Sequence, residues 1–161
     1  MVGYIQGIKG LFNIINLYAP YHNRFPFWNK VQQFGILSLK NLVIMGDFNS
    51  TLQADEIWGA RARIDSLANY LNGLFSNNHM IDIRPNPIIP TWSNKRLEGD
   101  YIGKRLDWAL VKDNLINALG MPRSSVVASN ISDHMLVFLT WILGDRSQGL
   151  PYKFNRAWLE E

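Results

Sequence analysis

The sequence contains no cysteine among its 161 residues. This absence excludes a disulfide framework and a thiolate metal site, and it fits a reducing compartment. No apolar run is long enough to span a bilayer, and the start has no charged segment followed by a long apolar stretch, so we find no signal peptide. We therefore expect an intracellular protein, in the nucleus or the cytoplasm, with no membrane partner and no disulfide partner.

A strong excess of charge of one sign is also lacking. The net charge is +3 and the pI is about 9.3, which is compatible with a polyanionic partner but too weak to demonstrate one. Apolar residues make up 47% of the chain, which is enough to build a core and excludes disorder. A chain of this length forms one ordinary domain or a large piece of a longer protein.

Strand-like segments alternate with helix-like segments, and this order predicts an α/β or α+β fold in which two sheets can form. Strands are predicted over residues 2–8, 11–17, 42–45, 91–93, 105–111, 126–128 and 135–142, with a turn at Lys9-Gly10. Helices are predicted over 27–39 and 64–75, with one or two further helical turns over 112–119. Three prolines between residues 85 and 90 exclude regular helix there.

One stretch places polar side chains directly after a buried strand. Four apolar residues, 42–45, precede Gly46, which permits the backbone to bend or to approach another segment closely. Asp47 and Asn49 are two residues apart, so on an extended backbone they point to the same side. A carboxylate and an amide in this position suit a hard cation, a water nucleophile or a phosphate oxygen. A plain turn that caps a helix or closes a loop is the alternative.

Further polar residues lie at or near the ends of other predicted strands. Tyr18 follows the second strand, Asp107 lies within 105–111, and Asp133 and His134 come just before the last strand. Asp107 has apolar neighbours, and a carboxylate among them is costly to bury without a partner. His134 is the natural partner, because an Asp–His hydrogen bond orients the imidazole ring. The alternatives are a structural ion pair for Asp107 and His134 and an ordinary half-buried aromatic for Tyr18.

Five motifs together resemble the endonuclease/exonuclease/phosphatase superfamily. More narrowly, they resemble the apurinic-type endonuclease domain of LINE-type retrotransposons, especially those of plants. In chain order the motifs are Asn16-Leu17-Tyr18-Ala19-Pro20, Met45-Gly46-Asp47-Phe48-Asn49, Pro90-Thr91-Trp92-Ser93-Asn94, Arg105-Leu106-Asp107-Trp108 and Ser132-Asp133-His134. The resemblance covers about residues 4–142 and implies a two-sheet α/β sandwich over 1–143. The remaining 144–161 then form a linker and tail that resemble the connector to a reverse transcriptase.

The resemblance implies Mg²⁺-assisted hydrolysis of a DNA phosphodiester, with Mn²⁺ as an alternative ion. By this resemblance Asp47 activates or positions the attacking water, and Asn49 holds that water or the transition-state phosphate. Asp133 joins Asp47 and Asn49 in binding the metal. In-line displacement requires a polarised phosphate, a placed nucleophile and neutralised developing charge, which these residue types can supply.

The same resemblance assigns roles to the other polar residues. His134, oriented by Asp107, contacts the scissile phosphate or takes part in proton transfer, and Tyr18 donates a hydrogen bond to the phosphate. Contacts to phosphate or DNA are expected from Thr91, Trp92, Lys95, Arg96, Lys104, Arg105 and Ser132. The cations in this set would fix the position of the protein on the DNA backbone rather than read sequence, although a solvated hairpin tip is the alternative. Asp55 and Glu56 are expected in a solvated loop, and His22 and His79 as surface or packing residues.

The sequence departs from the family pattern at its start. The family has an Asn on its first strand and a metal-binding Glu on a following helix, and both precede the position where this chain begins. Glu56 is a poor substitute, because it follows the Gly-Asp-Phe-Asn motif. We therefore expect an N-terminally truncated, monomeric domain with impaired activity and exposed apolar surface. The alternatives are an inactive remnant that binds nucleic acid non-specifically and a phosphatase or phosphodiesterase of the same superfamily.

Overall fold

The computed structural model describes residues 2–3, 12–59, 63–96 and 98–142. The predicted strand residues 4–8, the Lys9-Gly10 turn and the predicted linker and tail, 144–161, lie outside these ranges. The strands are β1 (Val2–Gly3), β2 (Phe12–Tyr18), β3 (Leu42–Asp47), β4 (Ile57–Trp58), β5 (Met80–Asp82), β6 (Trp92–Ser93), β7 (Gly103–Lys104), β8 (Asp107–Lys112), β9 (Arg123–Val127) and β10 (Leu136–Thr140). The helices are α1 (Arg24–Gln33), α2 (Ala68–Asn77) and α3 (Asp113–Leu119). Within the described ranges, no helix is long and apolar enough to cross a membrane.

The largest sheet has the strand order β1-β2-β3-β8-β5. Strands β2 and β3 are parallel and are joined through α1, because parallel neighbours need a crossover connection. Strand β8 runs antiparallel to β3, and Tyr18, Asp47 and Asp107 occupy the same level of three adjacent strands. Since directly paired residues project from the same face of a sheet, this register places three predicted site residues in one row.

One face of this sheet is covered by α1 and α2. Trp28 and Val31 are the buried residues of α1, and their spacing of three puts them on one side of the helix. The ring of Trp28 lies 5.3 Å from that of Phe48 and 5.5 Å from that of Phe75 in α2. Full burial of such a side chain contributes about 1.5–3 kcal/mol. Phe48 therefore anchors the backbone between Asp47 and Asn49 in the core.

The opposite face carries a second buried cluster that includes Phe12, Val43 and Val111. Val137 and Leu139 of β10 pack against it, so the two-stranded β9–β10 sheet forms a second layer over this face. A third sheet has the order β4-β7-β6. The expectation of an α/β fold with more than one sheet is thereby confirmed.

Helix and strand boundaries differ from the predictions in a few places. Helix α1 begins three residues earlier than predicted and ends before Gly35, whose φ of 67° lies in the left-handed region that terminates helices. Helix α2 begins at Ala68 rather than at residue 64. The loop predicted over 50–63 contains β4 and a single 3-10 turn at Ala54–Glu56. Both β4 and the 3-10 turn are too short to leave a periodic pattern in the sequence.

Candidate active site

The candidate site is an array of three side chains at the carboxyl end of β3. Nδ1 of His134 lies 2.9 Å from Oδ2 of Asp107, and Nε2 lies 3.9 Å from Oδ2 of Asp47. The imidazole therefore stands between two carboxylates, each on its own strand of the central sheet. Potential ligand atoms of the three residues all lie within 4.8 Å of one another.

Glycine at position 46 allows β3 to deliver Asp47 into this array. The φ of Gly46 is 129°, and a Cβ there would lie 2.1 Å from the carbonyl oxygen of Leu17. No other residue could occupy the position without moving one of the paired strands, because real Cβ atoms do not approach so closely. The close pairing of β2 and β3 therefore depends on this glycine.

Backbone and side-chain hydrogen bonds fix Asn49 beside Asp47. Asn49 has a left-handed φ of 47°, and its backbone N–H donates to Oδ1 of Asp47 at 2.8 Å. Its side-chain Nδ2 donates to the carbonyl of Ala19 at 2.7 Å. Arg24 donates to the carbonyl of Asn49 and forms an ion pair with Asp65. The turn after β3 is thus held by Ala19 on one side and by Arg24 on the other.

The beginning of β8 is held by a buried hydroxyl. Thr91 is completely buried, and its Oγ1 accepts hydrogen bonds from the backbone N–H groups of Leu106 and Asp107 at 2.9 and 3.0 Å. The predicted phosphate contact does not fit this position, because a buried hydroxyl cannot reach a ligand. Thr91 instead fixes the backbone that presents Asp107 to His134.

Asp133 lies beside the array on an exposed loop. Its Oδ2 accepts a hydrogen bond of 2.9 Å from the indole Nε1 of Trp92, and Trp92 also forms an isolated β-bridge with His134. The hydroxyl of Ser132 accepts the backbone N–H of His134 at 3.0 Å, which closes the turn. The structure thus places Trp92, Ser132 and Asp133 beside the central three residues, but the Asp133 carboxylate is not among the ligand atoms that lie within 4.8 Å of one another.

The pKa values of Asp47 and Asp133 are shifted in opposite directions. Burial raises the pKa of Asp47, and the neighbouring carboxylates of Asp107 and Asp133 raise it further, against the hydrogen bond from Asn49 and the attraction of His134. For Asp133, the hydrogen bond from Trp92 is the main cause that lowers the pKa, and Lys95 adds a smaller effect. The site therefore combines a carboxylate that is costly to ionise with one that ionises readily.

The predicted DNA contacts divide into exposed and buried residues. Lys95 and Arg96 are exposed in the connection between β6 and β7, and Lys104 is partly exposed at the end of β7. Arg105 is 1% exposed and bonds to Glu56 at 2.9 Å and to Asp82 at 2.6 Å. The predicted DNA contact by Arg105 does not fit this position, because its guanidinium group is paired with two carboxylates and its side chain is buried.

The expectation that Glu56 lies in a solvated loop is wrong, because Glu56 forms this buried ion pair with Arg105. Its carboxylate accepts backbone N–H groups from Leu52 and Gln53 in addition to Arg105, and the residue is completely buried. Asp55 is exposed, as expected of a loop residue. Sequence reasoning also missed Arg24, since nothing in its local sequence connects it to Asn49 or Asp65.

Tyr18 and the two remaining histidines lie at the surface. Tyr18 is 75% exposed, and its place opposite Asp47 in the register puts it at one edge of the array. His22 is exposed beside Tyr21, and His79 lies 3.4 Å from Asp113 on the surface. The exposed hydroxyl of Tyr18 is therefore available to a ligand that reaches Asp47.

Comparison with known proteins supports the fold. No family model and no curated protein matches this sequence. Among solved structures, the chain is similar to one described as the endonuclease domain of TRAS1, a telomere-specific non-LTR retrotransposon, with a TM-score of 0.62 and 15% sequence identity. The similarity covers 84% of this chain and 60% of that one. At this identity it shows the fold alone, and that fold is the one implied by the five motifs.

Proposed function

We propose that this chain carries the catalytic centre of a metal-dependent endonuclease that hydrolyses phosphodiester bonds in DNA. The observation that supports the proposal most directly is the array in which His134 stands between Asp107 and Asp47. This array lies at one end of the central sheet, in a fold similar to that of an endonuclease domain. Such a site can place a water molecule, contact a phosphate and move a proton within one small volume.

The donor atoms at the site suit a hard divalent cation. Hard cations prefer carboxylate and amide oxygens, and Mg²⁺ uses few protein ligands. The repulsion that Asp107 and Asp133 exert on the Asp47 carboxylate, which raises its pKa, is the kind that a cation relieves. Asp47, Asn49 and Asp133 would hold Mg²⁺ or Mn²⁺. When bound, the ion supplies polarisation of the phosphate and neutralises developing negative charge.

The side chains around this position have distinct tasks. Asp47 accepts a hydrogen bond from the attacking water and aligns it with the phosphorus atom. His134 has its Nδ1 fixed by Asp107, so its Nε2 is the nitrogen that faces a phosphate oxygen or exchanges a proton with it. Asn49 has its Nδ2 committed to Ala19, which leaves its Oδ1 as the acceptor. The exposed hydroxyl of Tyr18 donates a hydrogen bond to the same phosphate.

Plasmid nicking tests this proposal. Supercoiled plasmid is incubated with Mg²⁺ and the full chain, or with Asp47→Ala or His134→Ala, and we expect each substitution to slow nicking at least about a hundredfold. Asp100→Ala and His79→Ala are matched controls, because both residues are exposed and neither belongs to the array. Nicking that survives both site substitutions would exclude the assigned roles.

We further propose that the metal is bound weakly. Among the described residues, the carboxylates left for the ion are those of Asp47 and Asp133, since Asp107 is engaged by His134. Half-maximal nicking should therefore require millimolar Mg²⁺. Saturation at micromolar Mg²⁺ would contradict this and would indicate a further strong ligand.

A second candidate function is nucleic-acid binding without cleavage. The exposed cations Lys95 and Arg96 favour it, because they can neutralise phosphates without any metal. It predicts salt-sensitive, sequence-independent binding of duplex DNA and no nicking at any Mg²⁺ concentration. A phosphatase activity would be recognised by hydrolysis of small phosphomonoesters in place of plasmid nicking.

A further inference from the structure

A separate pocket opens beside the array, on the side of Asn49. Its volume is 360 Å³, and its walls come from the turn before α1, the turn after β3, the segment before α2 and the end of β7. Most of the residues that line it are polar, and they include Tyr21, His22, Arg24, Asn49, Asp65 and Lys104. A polar pocket of this size can hold a charged group together with the small organic unit attached to it.

The charges in this pocket favour an anion. Its carboxylate, Asp65, is paired with Arg24, so the two neutralise each other. Arg24 is also used to hold the carbonyl of Asn49 at 2.9 Å. Lys104 is different, because in the part of the chain that the structure describes no carboxylate pairs with it. Its ammonium group is therefore the charge that remains for a ligand.

Lys104 lies on the same sheet face as a residue that contacts the site. Lys104 in β7 is paired with Trp92 in β6, so the two side chains project from the same face of the small sheet. Trp92 in turn holds the Asp133 carboxylate. Asn49, which lines the same pocket as Lys104, donates its backbone N–H to Asp47, so a phosphate bound in this pocket would lie beside the array. The exposed rings of Tyr21 and His22, whose centroids are 4.9 Å apart, offer apolar surface to an attached sugar.

We propose that this pocket binds the backbone phosphate adjacent to the scissile one, with Lys104 as the cation that contacts it. The inference rests on the proposed function, since it assumes a DNA strand at the array. It adds a second anchor that fixes the position of the strand, so that one phosphodiester and not its neighbour is presented to Asp47 and His134.

Salt-dependent binding of the full chain to a short DNA duplex tests the inference. The measurements are made in EDTA, so that binding is recorded without cleavage. The logarithm of the binding constant falls with the logarithm of salt concentration, and each phosphate contact that is lost reduces the slope by about 0.9. We expect Lys104→Met to reduce the slope by about this amount, and Lys104→Arg to retain it because the charge is kept.

Lys40→Met is the matched control. Lys40 is an exposed lysine just before β3, at the opposite end of the strand from Asp47, and its loss should leave the slope unchanged. Equal slopes for the unsubstituted chain and Lys104→Met would overturn the inference. A slope change that appears equally in Lys40→Met would also overturn it, because it would reflect net charge alone.

Inorganic phosphate distinguishes a backbone phosphate from a free anion. If phosphate shifts the NMR signals of the pocket but Lys104→Met leaves the duplex slope unaltered, the pocket binds a free anion and the inference is wrong. The binding assay also separates this inference from the proposed function. A chain that binds duplex through Lys104 and nicks no plasmid retains the pocket assignment, whereas a chain that nicks plasmid with an unaltered Lys104→Met slope retains the proposed function.

Discussion

Asp47 is a residue whose chemical environment opposes its own ionisation. Its side chain is 10% exposed, and burial together with two nearby carboxylates raises its pKa. A carboxyl with a raised folded-state pKa favours the folded state while it is protonated, and that contribution is lost as the pH rises through the folded-state pKa. At neutral pH the ionised Asp47 therefore costs stability, which is typical of a residue retained for chemistry.

Asp47→Asn should consequently stabilise the protein while it abolishes nicking. The amide keeps the acceptor for the Asn49 N–H and removes the buried charge. We expect the free energy of unfolding at pH 7, measured by urea titration in EDTA, to rise, because the folded state no longer carries a charge that burial disfavours. The gain should shrink as the pH falls toward the ordinary pKa of aspartate. Asp100→Asn, at an exposed site, should change neither property, and a loss of stability in Asp47→Asn would contradict this reasoning.

Trp92 acts on the site through Asp133, so it is a positioning residue. Its indole N–H holds one carboxylate oxygen of Asp133, which we propose as a metal ligand, and removing a group that orients such a ligand typically changes metal affinity 10- to 100-fold. Trp92→Phe should raise the Mg²⁺ concentration for half-maximal nicking about tenfold and leave the rate at saturating Mg²⁺ nearly unchanged.

Trp141→Phe is the matched control for Trp92→Phe. Trp141 also donates an indole N–H, to the carbonyl of Gly120, and so the control removes the same kind of bond outside the site. If the two variants show the same Mg²⁺ dependence, or if Trp92→Phe slows only the saturated rate, Trp92 does not position Asp133 for metal binding.

At the scale of elements, the close pairing of β2 and β3 decides where Asp47 lies. Gly46→Ala would place a Cβ 2.1 Å from the carbonyl oxygen of Leu17, at a φ of 129° that other residues avoid. We expect a loss of at least about 2 kcal/mol in the free energy of unfolding, because the strands must separate or the residue must adopt a strained conformation. Nicking should fall as well, since Asp47 is the next residue.

Gly73→Ala is a control for which we expect the opposite change in the free energy of unfolding. Gly73 lies within α2, and nothing lies within 4 Å of the position that its Cβ would occupy. Alanine there should stabilise the protein by about 0.5–1 kcal/mol through helix propensity. Urea titration of both variants checks the pair, and a Gly46→Ala protein as stable as the unsubstituted chain would mean that the two strands tolerate a side chain between them.

The elements that the sequence predicts well are those with strong local patterns. Strands β3 and β8 follow from continuous apolar runs, and the motif resemblance identified Asp47, Asp107 and His134, which the structure brings together. Arg105 and Glu56 could not be predicted in this way. Their ion pair joins residues 49 positions apart, and charged residues in polar segments are ordinarily exposed. Burial that depends on a distant partner leaves no local signal.

At the scale of the whole molecule, the site depends on layers that come from distant parts of the chain. The row formed by Tyr18, Asp47 and Asp107 follows from the register of three strands, and His134 reaches it from the loop that leads into β10. Alternation within strands could be read from the sequence, but the register between strands could not, because a shift of one residue would turn each side chain to the opposite face. The motif resemblance gave the expectation that these residues form one site, and the register that brings them together comes from the structure.

The β9–β10 layer leaves one apolar face exposed. Its inner residues, such as Leu139, pack on the central sheet, whereas Val127, Leu136 and Phe138 on the outer face are each about half exposed. Val127 and Leu136 are direct cross-strand partners, so their side chains form one continuous patch. Exposed apolar surface on a short two-stranded sheet favours self-association.

Replacing both Leu136 and Phe138 with threonine should reduce this self-association. Threonine introduces a β-branched side chain, which suits a strand, and the substituted positions face solvent, so the free energy of unfolding should change by less than about 1 kcal/mol. Binding of a hydrophobic dye and concentration-dependent light scattering should both decrease. Leu139→Ala, on the inner face, should instead lower stability by about 0.5–3 kcal/mol without reducing either signal, because Leu139 is a partly buried residue that packs on the central sheet. Equal scattering from the double threonine variant and the unsubstituted chain would show that association proceeds through another surface.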